Sequence, residues 1–231
     1  MPSIFITGAN RGLGLAIARH YVAHDWHVHA SFREDHSLGE LSQLQKQFPE
    51  TLQLHKLDVR RGESIETVRK QLLGVPIDVL VNNAGVSIGR NDVFGELNYQ
   101  AWSEVLDVNL LGAARVTETL IDNVYLGANK VIVFVSSDLA SLTGHDGRPL
   151  YYYRTSKIAL NILMRTVSFD LQSKGIIAFA FHPGWIRTDM GGERAIVIPE
   201  ESVDGLANII NFADRSTSGR YFDWKGRSLE W

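Results

Sequence analysis

No cysteine occurs among the 231 residues. Disulfides, thiolate metal sites and a cysteine nucleophile are thereby excluded, and the composition fits a reducing compartment. Long hydrophobic runs are missing too: no stretch approaches the roughly 18 apolar residues needed to span a bilayer. The opening MPSIFITG enters a strand-like run with no charged leader or cleavage-site pattern, so no secretory signal is expected and the cytoplasm is the expected location. Charge of one sign is not in excess. Lys and Arg total 23 against 26 Asp and Glu, a net charge of −3, with neither a basic run suited to nucleic acid nor an acidic tail. What is present is ordinary globular material, 45% hydrophobic and 21% charged, which supplies a full core without staples or metals. Linkers, repeats and low-complexity tracts are absent, so residues 1–231 are read as one domain.

Short apolar runs alternate with amphipathic segments. Strands are expected at 3–7, 26–32, 51–57, 77–82, 130–136 and 176–181, with a last one at 219–224. Helices are expected at 13–24, 37–48, 62–74, 99–127, 153–175 and 199–213, the long pair ending at glycines. The inner strands are continuously apolar, as when helices cover both faces of a sheet. The βαβ order, with right-handed crossovers, gives an α/β fold: a doubly wound, mostly parallel seven-stranded sheet of Rossmann type.

The standard GxGxxG spacing is lacking. The first strand runs instead into TGANRGLG (7–14), a TGxxxGxG turn that opens a helix. Gly8, Gly12 and Gly14 permit a tight turn, close approach of backbone to a pyrophosphate and close helix packing. Asn10, Arg11 and Leu13 complete this candidate cofactor site. Cofactor type is read at the end of the second strand, ASFRED. Phe32 stands where an NAD site wants a carboxylate, and Arg33 follows at once. Arg11 is a second cation that can close on a 2′-phosphate, so NADP(H) is preferred. Glu34 and Asp35 keep NAD(H) open.

YYYRTSK (151–157) poses a choice among three tyrosines. Tyr153 has Lys157 at i+4, which puts both on one helix face. Tyr152 and Tyr151 have Ser156 and Thr155 at that offset, neither a permanent charge. A free phenol titrates near ~10, and a neighbouring ammonium favours phenolate, which suits a general acid/base. Tyr153 is therefore the candidate. Tyr151 and Tyr152 either pack at the helix entrance or line the substrate mouth.

Six stretches in order, TGxxxGxG, NNAG (82–85), Asn109, SS (136–137), YxxxK (153–157) and HPGWIRTDMGG (182–192), make the chain resemble the short-chain dehydrogenases/reductases of the compact single-domain type. HPGWIRTDMGG and the ending YFDWKGRSLEW are similar to the C-factor-like and Sniffer-like carbonyl reductases within it. The resemblance implies an NADP-dependent oxidoreductase that reduces a ketone or aldehyde to an alcohol, reversibly. Tyr153 would be the general acid/base, and Ser137 the catalytic serine polarising the carbonyl oxygen. Lys157 would bind the nicotinamide ribose and lower the tyrosine pKa, and Asn109 would hold a water in the proton relay. Asn83, Ala84 and Gly85 would lie against the adenosine half, and Asp58 with Val59 at the adenine. Pro183, Gly184, Ile186 and Thr188 would hold the nicotinamide carboxamide. The lid near 189–199 is short, which implies an open pocket for a small carbonyl or alcohol. Helices 99–127 and 153–175 are the surfaces such proteins use as homodimers or homotetramers. A C-factor-type regulator that binds NAD(P) without depending on turnover is the alternative; an extended-type epimerase would need a longer chain.

Of eight histidines, His20 and His24 have metal-pair spacing but no third ligand, so no metal site is expected. His145, between the serine and the tyrosine, is the histidine expected to border the site.

Overall fold

The computed structural model describes residues 1–89 and 93–231. The apolar runs form β1 (Ser3–Ile6), β2 (His27–Phe32), β3 (Leu52–Lys56), β4 (Val79–Asn82), β5 (Val131–Val135), β6 (Ile177–His182) and β7 (Tyr221–Asp223). They make one sheet in the order β3-β2-β1-β4-β5-β6-β7, and every neighbouring pair is parallel. The doubly wound Rossmann expectation holds, with β7 parallel as well. The helices are α1 (Gly12–Ala23), α2 (Gly39–Gln47), α3 (Gly62–Gln71), α4 (Tyr99–Leu106), α5 (Ala113–Thr119), α6 (Ile121–Leu126), α7 (Tyr151–Asp170) and α8 (Pro199–Asn211).

Strand side chains alternate between faces, so the sheet feeds two cores. Ile4, Ile6, Val79, Val81, Val133 and Phe181 pack with α1, α2 and α8 through Ile17, Leu41 and Leu206. Phe5, Leu80, Ile132 and Phe134 face the other way, onto Ile65 of α3, Val116 of α5 and Met164 of α7. The strand order reverses between β1 and β4, and the crevice at their carboxyl ends is where such sheets place ligands. Among the described residues no helix is long and apolar enough to cross a membrane.

The expected single helix 99–127 is divided. After α4 the chain makes a π-helical turn, Asp107–Gly112, and α5 and α6 then part at Leu120. The cause of the π turn is tertiary. Asn109 is turned inward to bond the backbone of Val86, and Gly112 sits where a Cβ would come within 2.6 Å of Val59. The helix expected at 153–175 begins earlier, at Tyr151, and ends at Asp170.

One polar chain is buried under the outer strands. His29 on β2 and His55 on β3 are both nearly inaccessible, with Nδ1 of His29 3.1 Å from Nε2 of His55. Nδ1 of His55 donates to Gln71 Oε1 at 2.8 Å, so Nε2 of His55 accepts and His29 donates. Burial, then the neighbouring His55, pushes His29 down to about 4. The unfolded chain binds a proton at His29 between about 6.5 and 4 that the folded chain does not, so stability is lost as pH falls through that window, on the order of 3 kcal/mol. Thermal melts from pH 7 to pH 4.5 are expected to show this loss, and His29→Val to flatten it.

Candidate active site

The crevice is built from strand ends outward. Thr7, just past β1, uses one hydroxyl to tie it to β4: Thr7 Oγ1 accepts from the backbone N–H groups of Asn83 and Ala84, both at 2.9 Å. Asn83 returns the link, its Nδ2 donating to Thr7 O at 2.8 Å and Gly8 O at 3.0 Å. Gly8 and Gly12 have φ of +65° and +55°, the left-handed region glycine favours. At Gly14 a Cβ would stand 2.4 Å from Gly8 O, so the turn and α1 close on each other only without one.

A cleft of about 1740 Å³ runs from this turn along the sheet edge. Every residue expected at the cofactor lines it, from Gly8, Asn10, Arg11, Gly12, Leu13 and Gly14 to Pro183, Gly184, Ile186 and Thr188, by way of Arg33, Asp58, Val59, Asn83, Ala84 and Gly85. Several are already engaged. Asn10 donates to Ser37 O at 3.2 Å. Arg11 pairs with Asp189 at 2.9 Å across the cleft mouth, beside Gly12 and Thr188. Arg33 has Glu34 at 3.7 Å. Asp58 is clamped by the Arg60 guanidinium through bonds of 3.0 and 2.8 Å, which holds its carboxyl below the usual carboxylate range. The lid is anchored at its base, where Arg187 N–H donates to Val197 O and Trp185 Nε1 donates to Gly191 O at 2.8 Å.

At the other end the cleft meets Ser137, Tyr153 and Lys157. Tyr153 and Lys157 share one face of α7, with Lys157 Nζ 5.7 Å from the Tyr153 ring centre. Lys157 is 4% exposed and donates to Val135 O at 2.8 Å; burial pushes it down to about 8. The two serines diverge as alternation requires. Ser136 turns inward and donates to Asn161 Oδ1 at 2.6 Å. Ser137 faces the cleft, its Oγ donating to Asp138 Oδ1 at 3.1 Å and accepting from Leu139 N–H at 3.3 Å.

Asn109 stands apart from the cleft wall. Fully buried, it accepts from Val86 N–H at 2.8 Å and donates to Val86 O and Ser156 Oγ, both at 2.9 Å. A Cβ on Gly85 would lie 3.4 Å from its Oδ1 and 3.6 Å from Lys157 Nζ, so both residues approach the same loop.

One expectation is corrected. His145 is exposed and accepts from Gly147 N–H instead of facing the cleft; His36 and His182 line the cleft, and His182 Nδ1 accepts from Asp138 N–H while burial lowers its pKa. Of the two alternatives for Tyr151 and Tyr152, the structure has packing at the helix entrance, and neither lines the cleft. Tyr152 is buried, stacks on Trp102 and accepts from Asn98 N–H at 2.6 Å, while Tyr151 meets Phe94. Residues that sequence reasoning missed are Asp138, Trp185, Asn161 and Tyr221. Asn161 had a signal, since it continues the Tyr153, Lys157 spacing by another four residues. Among the described residues no cluster of three metal-ligating side chains occurs.

The sheet order and the glycine turn at its switch point make this a Rossmann-type α/β domain. The class narrows further, because the sequence pattern of the family described as short chain dehydrogenase matches residues 2–196, and the chain belongs to that family of oxidoreductases. It is 38% identical to C-signal of Myxococcus xanthus over 156 residues, 68% of this chain and 93% of that one. The structure superposes on NADPH-bound carbonyl reductase from chicken fatty liver with TM-score 0.92 at 29% identity, covering 100% and 99% of the two chains. It matches the carbonyl reductase Sniffer of D. melanogaster equally, with TM-score 0.92 at 26% identity and full coverage of both.

Holding Lys157 charged in this burial costs stability. Below about pH 8 both the folded and unfolded lysine are protonated and the full penalty applies, on the order of 3 kcal/mol. Between about 8 and 10.5 only the unfolded chain holds the proton, so stability recovers as pH rises. Lys157→Met is expected to melt higher than the parent protein at pH 7, with the difference shrinking by pH 10.

Proposed function

We propose that the protein is an NADPH-dependent carbonyl reductase, acting on a ketone or aldehyde and reversible towards the alcohol. The observation that carries this reading is the meeting of Ser137, Tyr153 and Lys157 on one wall of a cleft that continues to the glycine turn. The likeness to NADPH-bound carbonyl reductase supports it. A dinucleotide fits the residues present: Gly8 and Gly12 adopt conformations that side chains disfavour, Gly14 admits no Cβ, and the first residues of α1 line the cleft. The glycine turn would hold the pyrophosphate, Ala84 and Asp58 the adenosine half, and Arg33 with Arg11 the 2′-phosphate. Lys157 would hold the nicotinamide ribose, and Pro183 to Thr188 the carboxamide. When bound, NADPH supplies a hydride to the carbonyl carbon.

The chain's own residues manage the oxygen. The Ser137 hydroxyl, now turned to Asp138, donates instead to the carbonyl oxygen and steadies the negative charge that develops there. The Tyr153 hydroxyl gives its proton to that oxygen, forming the alcohol O–H. The Lys157 ammonium stabilises the tyrosinate left behind, and Asn109, bonded to the Val86 backbone and Ser156, fixes the loop and helix from which a proton returns. A homodimer or homotetramer belongs to the same reading, since Tyr99, Ile162 and Phe169 on α4 and α7 are left exposed. The likeness to C-signal favours a second reading, a cofactor-binding regulator indifferent to turnover.

NADPH-dependent reduction of isatin is expected to fall by about 10²- to 10⁴-fold in Tyr153→Phe, with NADPH still bound by fluorescence. Undiminished turnover overturns the assignment, and full biological rescue by that variant selects the regulator. Arg33→Ala is expected to raise the KM for NADPH about 10- to 100-fold and leave that for NADH nearly unchanged.

A further inference from the structure

The end of β5 carries a buried polar cluster that the proposed reaction leaves partly unused. Three successive residues there are held by side chains from α7 and β7. Val135 O accepts from Lys157 Nζ, Ser136 Oγ donates to Asn161 Oδ1, and Ser137 O accepts from the Tyr221 hydroxyl. Lys157 and Asn161 come from α7, four residues apart on the face that bears Tyr153. Tyr221 arrives from the far side of the sheet, on β7, where it pairs with Ala180.

Tyr221 is 2% exposed. Burial, with the charges of Asp138 and Tyr153 adding to it, pushes its phenol well above the ordinary range, so it stays a neutral donor. Its ring stacks on Trp231 at 5.5 Å and 23°, and the Arg165 guanidinium lies 5.6 Å from the same tryptophan ring. Leu229 N–H donates to Tyr221 O at 2.8 Å, and Trp231 O accepts from Thr143 in the loop between the serine and the tyrosine. The segment 221–231 thus braces the site from behind and from the side.

We propose that Tyr221 is a positioning residue for Ser137, acting through that residue's carbonyl; the proposal rests on the reductase reading. Ser137 O has two donors, Tyr221 and Ala140 N–H at 2.9 Å. Ala140 belongs to the same short turn and moves with it, whereas Tyr221 is fixed to the sheet. The Tyr221 bond therefore registers the carbonyl side of the Ser137–Asp138 peptide plane, and with it the Ser137 Oγ, against β7, while Asp138 N–H holds the other side of that plane to His182 Nδ1 on β6. Asn161 secures the preceding residue through its side chain, accepting from the Ser136 hydroxyl.

The test is a double-mutant cycle with isatin and NADPH. Tyr221→Phe keeps the ring and its packing, and is expected to lower kcat about tenfold with the KM for NADPH and the thermal midpoint nearly unchanged. In the Ser137→Ala background the same change is expected to cost nothing further. An equal loss in both backgrounds, or no loss in the first, overturns the proposal. A crystal structure of Tyr221→Phe decides the point without turnover: Ser137 Oγ is expected to leave its single rotamer beside Asp138, and an unmoved Ser137 overturns the inference. Full activity in Ser137→Ala alone would instead sink the reductase reading, with the crystallographic result still standing on its own.

Discussion

A buried ammonium on a strand-end carbonyl sets the arrangement of everything around it. Lys157 can remain in the interior only with a partner, and it takes Val135 O at the last residue of β5. That contact fixes both the rotation and the axial register of α7 against the sheet. One turn earlier on the same face, Tyr153 is carried to the cleft; one turn later, Asn161 is carried over Ser136. The constraint spreads through Ser156, which receives Asn109 from the π turn, and Asn109 in turn pins Val86 by both backbone groups. From there the loop after β4 reaches the glycine turn through Thr7 and Asn83. A single connected network of short bonds therefore joins the two ends of the cleft.

Much of this was legible from residue order. Parallel strands buried on both faces must be apolar throughout, so their runs stand out, and the glycine turn marks the first crossover. The i, i+4 relation of Tyr153 and Lys157 is local geometry, visible wherever a helix can be recognised. What escaped depends on partners distant in the chain. Within 99–127 only Asn109 marked the place of the π turn, and the Val86 backbone it bonds lies on a neighbouring loop outside that stretch. Tyr221 could not be connected to Ser137 without knowing that β7 lies beside β6. His145 was favoured for its place between two site residues in sequence, yet the loop carries it outward while β6 delivers His182. Asp58 lines the cleft but is clamped by a guanidinium two residues on.

The sheet's outer strands and its site edge handle buried polarity in different ways. Beneath β2 and β3, His29 and His55 are satisfied by one another and by Gln71 in a closed chain that needs no charge. At β5 the cluster includes a lysine that burial works against, and the compensation is a dense set of donors and acceptors from α7 and β7. Such a cost is borne where a charge is useful.

The pair between Arg11 and Asp189 closes the mouth of the cleft with little force. Both side chains are more than two-thirds exposed, at 71% and 76%, and a pair of that kind is worth less than about 1 kcal/mol. A phosphate arriving at Arg11 would exchange one anion for another, leaving the local charge count nearly as it was. Salt screens the outgoing carboxylate and the incoming phosphate alike, so this exchange is buffered against ionic strength. Arg33 has the Glu34 carboxylate at 3.7 Å in a comparable place.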